Sequence, residues 1–178
     1  MKRLTIFTLT TTVLLCWAWA PIAGDALAQQ KQRLVFKVEA ANSKYTHQHT
    51  IDVGDVPGHQ LRIFEVRRIY PTNAPVVDGM KIVESWTRGV SDYINNNGPA
   101  VVYHTYVVEN GDKFFAQTAT IAVQGSGADN FIGTTDGQIT GGTGKLARIR
   151  GLLRLSVSAN PMTGVNKAET EIEYWFVN

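Results

Sequence analysis

The chain has 178 residues, one cysteine (Cys16), and 17 basic against 15 acidic side chains, for a formal net charge of +2. A charge so close to neutral creates no strong field for nucleic acid or anionic lipid, so we expect no nucleic-acid partner. A single cysteine excludes an internal disulfide framework and a cysteine metal site. The length suits one domain with a core of its own.

The first residues have the pattern of a secretory signal peptide. Lys2 and Arg3 precede the apolar stretch Leu4–Trp19, and Ala26–Ala28 reads as a small-x-small cleavage site. We therefore predict a signal peptide over 1–28 and a single secreted or periplasmic β-barrel domain over 29–178. A membrane anchor is the weaker alternative because the apolar run is short, and no later stretch is long and apolar enough to span a membrane.

Most of the remaining chain consists of short alternating segments bounded by turn residues, which predicts strands. Eight strands are predicted, over Arg33–Ala40, Leu61–Tyr70, Met80–Tyr93, Ala100–Glu109, Lys113–Gln124, Phe131–Thr140, Leu152–Ala159 and Ala168–Val177. Asn110-Gly111 is a strong hairpin signal, and Asn160–Gly164 is a second turn. The pattern favours an all-β fold, a closed eight-stranded antiparallel up-and-down barrel, because closure removes exposed edges.

The polar stretch Ala41–Thr50 contains His47 and His49, which would share one face of a strand. Such a pair makes a metal site conceivable. No third histidine or group of carboxylates stands nearby in the sequence. We therefore predict a solvated connection here and no metal site.

The glycine-rich segment Ile139–Gly151, ITGGTGKLARIRG, resembles a phosphate-binding loop only superficially. Such a loop needs Ser or Thr after its lysine, whereas Leu146 follows Lys145, and no βαβ unit surrounds the segment. We predict no cofactor. The glycines instead predict a corner with one short helical turn near 143–149 that caps a barrel end, with Ala147 and Ile149 packed inward.

The sequence contains no recognisable catalytic triad, and Glu65 is the candidate acid or base. It lies in the middle of a predicted strand and shares its face with Ile63 and Arg67. Burial in a narrow barrel would raise the pKa of the carboxyl group, and a nearby arginine would lower it. A structural ion pair with Arg67 or Arg88 is the alternative.

A second group of candidates lies on the next strand, where Glu84, Trp86 and Arg88 share one face. An aromatic ring beside a few polar groups is typical of a small-molecule pocket in a barrel mouth. With Tyr103 and Arg67, these residues form the predicted ligand-binding set. An exposed, charged strand face is the alternative, and His104 is interpreted as a hydrogen-bonded packing residue.

The segment Ala122–Gly151, AVQGSGADNFIGTTDGQITGGTGKLARIRG, resembles allene oxide cyclases, and its G-G-T-G turn resembles plant dirigent proteins. The whole chain is similar to exported bacterial members of this barrel superfamily. The resemblance implies an eight-stranded barrel and places Glu65 at the acidic position of the cyclase E-x-N motif. Arg67 stands where that family has Asn.

Three functions remain open at this stage. The first is an exported barrel that binds a small, partly apolar ligand in its mouth. The second is an isomerase or cyclase that uses Glu65. The third is a structural barrel that acts through oligomerisation, as a trimer like other barrels of this superfamily, with Phe64, Val66 and Tyr70 buried against a neighbouring subunit.

Overall fold

A computed structural model describes residues 30–127 and 130–178, so the predicted signal peptide lies outside the described residues. Ten strands are present: β1 (Gln32–Val38), β2 (Ser43–Asp52), β3 (His59–Ile69), β4 (Val76–Val77), β5 (Met80–Ile94), β6 (Gly98–Val108), β7 (Lys113–Gln124), β8 (Phe131–Gly142), β9 (Ile149–Asn160) and β10 (Val165–Phe176). Two single 3₁₀ turns, Ala40–Asn42 and Gly144–Leu146, are the helical elements of this part of the chain. It contains no helix with the length and hydropathy needed to cross a membrane.

The strands form one curled antiparallel sheet in the order β1-β10-β9-β8-β7-β6-β5-β3-β2, with the short β4 added beside β5. The predicted all-β architecture is confirmed. The predicted closed eight-stranded barrel is wrong, because the path has nine strands and its end strands β1 and β2 do not pair with each other. The sheet is a half-barrel whose two edges approach through side chains, as in the 3.3 Å hydrogen bond from Asn166 Nδ2 to Tyr45 Oη.

The additional strand is β2, which occupies the stretch predicted to be a solvated connection. Its side chains are exposed along most of its length, so its sequence lacks the alternation that reveals a half-buried strand. Backbone pairing with β3 fixes it instead, with a register shift between Tyr45 and His47. A bulge of this kind bends a strand and disrupts pairing, which is consistent with an open edge here.

Alternate residues of each strand face opposite sides of the sheet. On β3, Val66 and Arg68 are buried in the interior, whereas Ile63 and Arg67 are exposed on the outer face. Phe64, Val66 and Tyr70 therefore lie inside this chain, and the expectation that they contact a neighbouring subunit is wrong. Two apolar clusters occupy the interior, one towards each end.

The larger cluster closes one end of the curled sheet. The 3₁₀ turn Gly144–Leu146 confirms the predicted helical turn, and it inserts Leu146, which has no exposed surface, beside the equally buried Phe114 and Ile149. Ala147 is exposed, so the prediction that it packs inward is wrong. The glycine-rich corner therefore acts as the plug of a half-barrel.

Candidate functional site

A belt of polar side chains crosses the interior between the two apolar clusters. Its members are buried, and each lies on a different strand from β3 to β10; we call Arg68, Thr87, His104, Thr118 and Asn166 the polar belt. Buried polar groups require hydrogen-bond partners, and these five side chains bond mainly to one another. The interior is consequently not a plain hydrophobic core.

The contacts within the polar belt fix the direction of its hydrogen bonds. The Thr118 hydroxyl donates its one hydrogen to the carbonyl oxygen of Val102 at 3.4 Å, so it accepts from His104 Nε2 at 3.0 Å. Because the His104 ring is neutral, its Nδ1 then accepts from the Thr87 hydroxyl at 3.2 Å. Thr87 Oγ1 in turn accepts from Arg68 Nη1 at 2.6 Å. Both nitrogens of the neutral His104 ring are therefore occupied.

Burial also disfavours the charged form of this histidine. Desolvation, with a smaller contribution from the nearby Arg68 charge, lowers the pKa of His104 to about 3. His104 therefore acts as a neutral polar residue of the interior, which agrees with its interpretation from the sequence as a hydrogen-bonded packing residue.

Arg68 is the unusual member of the polar belt because it is a buried cation with no carboxylate partner in the part of the chain that the structure describes. Its relative exposure is 4%, and its guanidinium donates only to neutral oxygens, Thr87 Oγ1 and Asn166 Oδ1, the latter at 2.7 Å. Its Nε has no hydrogen-bond partner among the described residues. A buried charge is normally paired, so the interior holds a positive charge that no described carboxylate neutralises.

The polar belt borders a cavity that also touches the smaller apolar cluster. The cluster consists of Tyr93, Ala100, Val102, Ala122, Phe131 and Ala159, which we call the mouth ring. The cavity has a volume of about 40 Å³, and the wider space between its lining side chains, which includes open solvent, is about 530 Å³. The cavity shares Arg62, Ser91 and Tyr93 with an open depression lined by the turn residues Asn95 and Pro161, so it opens at that end.

The predicted site residues lie elsewhere, on the outer face of the sheet. Glu65 and Arg67 of β3, Glu84, Trp86 and Arg88 of β5, and Tyr103 of β6 all alternate with interior residues. We call these six residues the outer cluster. The structure brings the predicted set together, but places it outside the interior and away from the cavity mouth.

The charges of the outer cluster are paired with each other. Arg88 Nε donates to Glu65 Oε2 at 2.7 Å, and Arg67 Nη2 donates to Glu84 Oε2 at 2.7 Å. Both guanidinium groups lie over the ring of Trp86, at 5.0 and 5.6 Å from its centroid, and the indole Nε1 donates to Glu84. The pairing fits the alternative interpretation, a charged strand face with one covered tryptophan, while Glu65, Arg88 and Tyr103 also line an open depression on the outer face. The predicted ligand-binding role of these residues stays a prediction.

Hydrogen bonds hold both outer carboxyl groups in the charged form. The Thr46 hydroxyl, at 2.6 Å, and then Arg88 lower the pKa of Glu65. Arg67, and then the Trp86 indole, lower the pKa of Glu84. A general acid near neutral pH needs a raised pKa, so neither group is tuned for that role.

No group of three or more His, Cys, Asp or Glu side chains is placed to hold a metal ion within 30–127 and 130–178. The pair considered in the sequence, His47 and His49, lies opposite Glu65 and Ile63 on the β2–β3 ladder. Both histidines are exposed.

Sequence reasoning did not single out Arg62, Arg68 or Asn166. Arg68 follows Arg67 directly, and the sequence alone does not show which of the two enters the interior. The available signal was the alternation of β3, where Phe64, Val66 and Tyr70 share the parity of Arg68. The opposite face carries Leu61, Ile63 and Ile69 and is equally apolar, so alternation alone did not show which arginine enters the interior.

Comparison with models of protein families found no match, and comparison with curated proteins found none either. Among solved structures, the chain is similar to pyocyanin demethylase, with 20% identity, coverage of 78% of this chain and 98% of that chain, and a TM-score of 0.39. Similarity at that level assigns neither a family nor an activity. Membership of the allene oxide cyclase and dirigent superfamily stays a prediction.

Proposed function

We propose that this protein binds a small, partly apolar molecule inside the curled sheet. The observation that carries the proposal is the cavity, which has an apolar mouth ring at its open end and a polar belt within it. Small-molecule sites are typically concave and mostly apolar, with a few polar groups that fix the orientation of the ligand. The enclosed cavity alone is about 40 Å³, so a ligand would also occupy the open space at the mouth.

The construction of the two ends supports binding from one side. Leu146 and its neighbours fill the closed end, and the cavity opens past Arg62 and Tyr93. Apolar surface of the ligand that leaves water against the mouth ring would contribute about 25 cal/mol per Å². The polar belt would then select molecules with a polar group at their inner end.

The same geometry favours binding over acid–base turnover. None of the cavity-lining residues is Asp or Glu, and both ring nitrogens of His104 are already hydrogen-bonded. Glu65 lies on the outer face, so a cyclase that uses it would need a substrate on the sheet surface. Export to the periplasm or beyond, and assembly into a trimer, remain predictions that this proposal does not require.

Two matched substitutions test the proposal. Ala100→Phe fills the mouth ring, whereas Ala119→Phe adds the same group to an exposed position of the neighbouring strand β7. We expect a panel of fatty acids and phenols to contain molecules that raise the melting temperature of the wild type and of Ala119→Phe. Ala100→Phe should weaken binding by at least about tenfold, since its ring occupies the ligand volume.

Circular dichroism of both variants would show that the sheet is retained. Equal binding by Ala100→Phe and Ala119→Phe would contradict an interior site. So would a wild-type protein that responds to no member of the panel.

A further inference from the structure

We propose that the interior site selects ligands that carry a carboxylate, and that Arg68 is the residue that binds it. This inference rests on the proposed interior binding site and names the chemical class of its ligand. It begins from the one arginine or lysine of the described residues that is buried in the interior. Arg68 lines the cavity, and only 4% of its surface is exposed.

The guanidinium of Arg68 has donors to spare. An arginine presents five N–H groups, and the described contacts of Arg68 use one on Nη1 and one on Nη2. The Nε–H group has no partner among residues 30–127 and 130–178. The unpartnered Nε–H can pair with a neighbouring N–H to make two parallel hydrogen bonds to the two oxygens of a carboxylate.

Residues 30–127 and 130–178 supply no negative charge to this guanidinium. Neither Arg68 nor Arg62, the second arginine of the cavity, forms an ion pair with any described carboxylate, and the lining contains no Asp or Glu. A buried charge without a counter-ion is costly, whereas a bound anion would compensate it. The interior is therefore positively charged and apolar at once.

The tyrosines around Arg68 do not provide a hidden counter-ion. Burial raises the pKa of Tyr45, Tyr70 and Tyr106, so all three remain neutral hydroxyls near neutral pH. His104 is neutral as well and offers no acceptor, because Thr87 already occupies Nδ1. None of the described residues compensates this charge, and an anion bound in the cavity would do so.

Two features favour a carboxylate over a phosphate. A carboxylate carries one charge, which matches the single fully buried guanidinium, and its two oxygens match the planar donors. The mouth ring of Tyr93, Ala100, Val102, Ala122, Phe131 and Ala159 accepts an apolar body but supplies no further cation. Arg62, half-buried where the cavity meets the outer depression, attracts the acid towards the entrance.

Matched acids and amides test the inference. Benzoate, cinnamate and octanoate would be titrated against benzamide, cinnamamide and octanamide by calorimetry in a low-salt, carboxylate-free buffer. We expect at least one acid to bind about tenfold or more tightly than its amide, because only the acid pairs with the buried charge. In the nitrogen–proton spectrum of the wild type, the Arg68 Nε–H signal should move with saturation by that acid.

Arg68→Met removes the charge with little change in length, and Arg154→Met is the matched control on the outer face. Arg154 is more than half exposed and lies near Asp136 and Glu171. We expect Arg68→Met to bind acid and amide equally, and Arg154→Met to keep the preference. If Arg68→Met does not fold, the wild-type Nε–H signal still decides the question.

The outcomes separate this inference from the proposed function. Equal binding of acids and amides by the wild type would overturn the inference and leave an interior site for neutral ligands. An acid preference with an unmoved Arg68 signal would overturn the role of Arg68. Binding of no acid and no amide would overturn both.

Discussion

The charge state of His104 follows from its place in the polar belt, with two threonine hydroxyls as partners and no exposure to water. Its pKa falls from 6.5 to about 3 on burial. The folded state thus binds fewer protons than the unfolded state between these values. The resulting contribution to stability is complete above pH 6.5 and is lost as the pH falls towards 3, at about 1.4 kcal/mol per pH unit.

Proton NMR of the histidine rings measures this directly. The His104 signal should not titrate between pH 5 and 8. His59 provides the internal contrast, because hydrogen bonds to Asp92, at 2.7 Å, and Asp55, at 2.6 Å, raise its pKa above 6.5. A His104 midpoint near 6.5 would mean that the ring is open to water and that the interior is not built as described.

At the scale of elements, the glycine-rich corner holds the 3₁₀ turn whose Leu146 closes one end of the half-barrel. Leu146→Ala would open a cavity among residues without exposed surface, and we expect it to lower the free energy of unfolding by about 2–5 kcal/mol. Leu61→Ala, at a 40% exposed position of the outer face, is the control and should cost less than about 1 kcal/mol. Urea unfolding of both variants measures the difference, and equal losses would contradict the role of the plug.

The strands themselves were largely predictable, but the inner face of each strand was not. On β3, the inner face carries Arg62 and Arg68, while the outer face carries Ile63 and Ile69. Because each face mixes charged and apolar side chains, composition did not indicate which face lies inside. The outer cluster was predicted to bind a ligand because it combines charged groups with an aromatic ring. In the structure its carboxylates and guanidinium groups pair with each other.

At the scale of the whole molecule, the sequence predicted the antiparallel sheet and the turns that join its strands. It did not predict that the sheet stays open between its end strands β1 and β2. Strand β2 is an edge strand with exposed side chains, held by backbone pairing to β3, so periodicity does not reveal it. The alternation pattern and the resemblance to closed barrels both indicated eight strands. The path of the sheet has nine.

The interior site is also a property of the whole molecule, because eight strands from β2 to β10 contribute to the cavity. Asn166 and Arg68 are far apart in sequence, yet they meet at 2.7 Å across the curled sheet. Only the curling of the sheet brings these two residues together, so no local sequence pattern indicates the pair. Residues that meet only in the folded sheet, such as Arg68 and Asn166, could therefore not be paired from the sequence.

The measurement that tests the central claim most directly is a methyl NMR titration with the tightest ligand of the panel. Val101 and Val102 are adjacent on β6, but Val101 is 49% exposed on the outer face and Val102 is 4% exposed in the interior. We predict that the ligand shifts the methyl signals of Val102, Val66 and Val157, and leaves Val101 and Val90 nearly unchanged. Shifts at Val101 and Val90, with none at Val102, would place the ligand on the outer cluster and contradict the account.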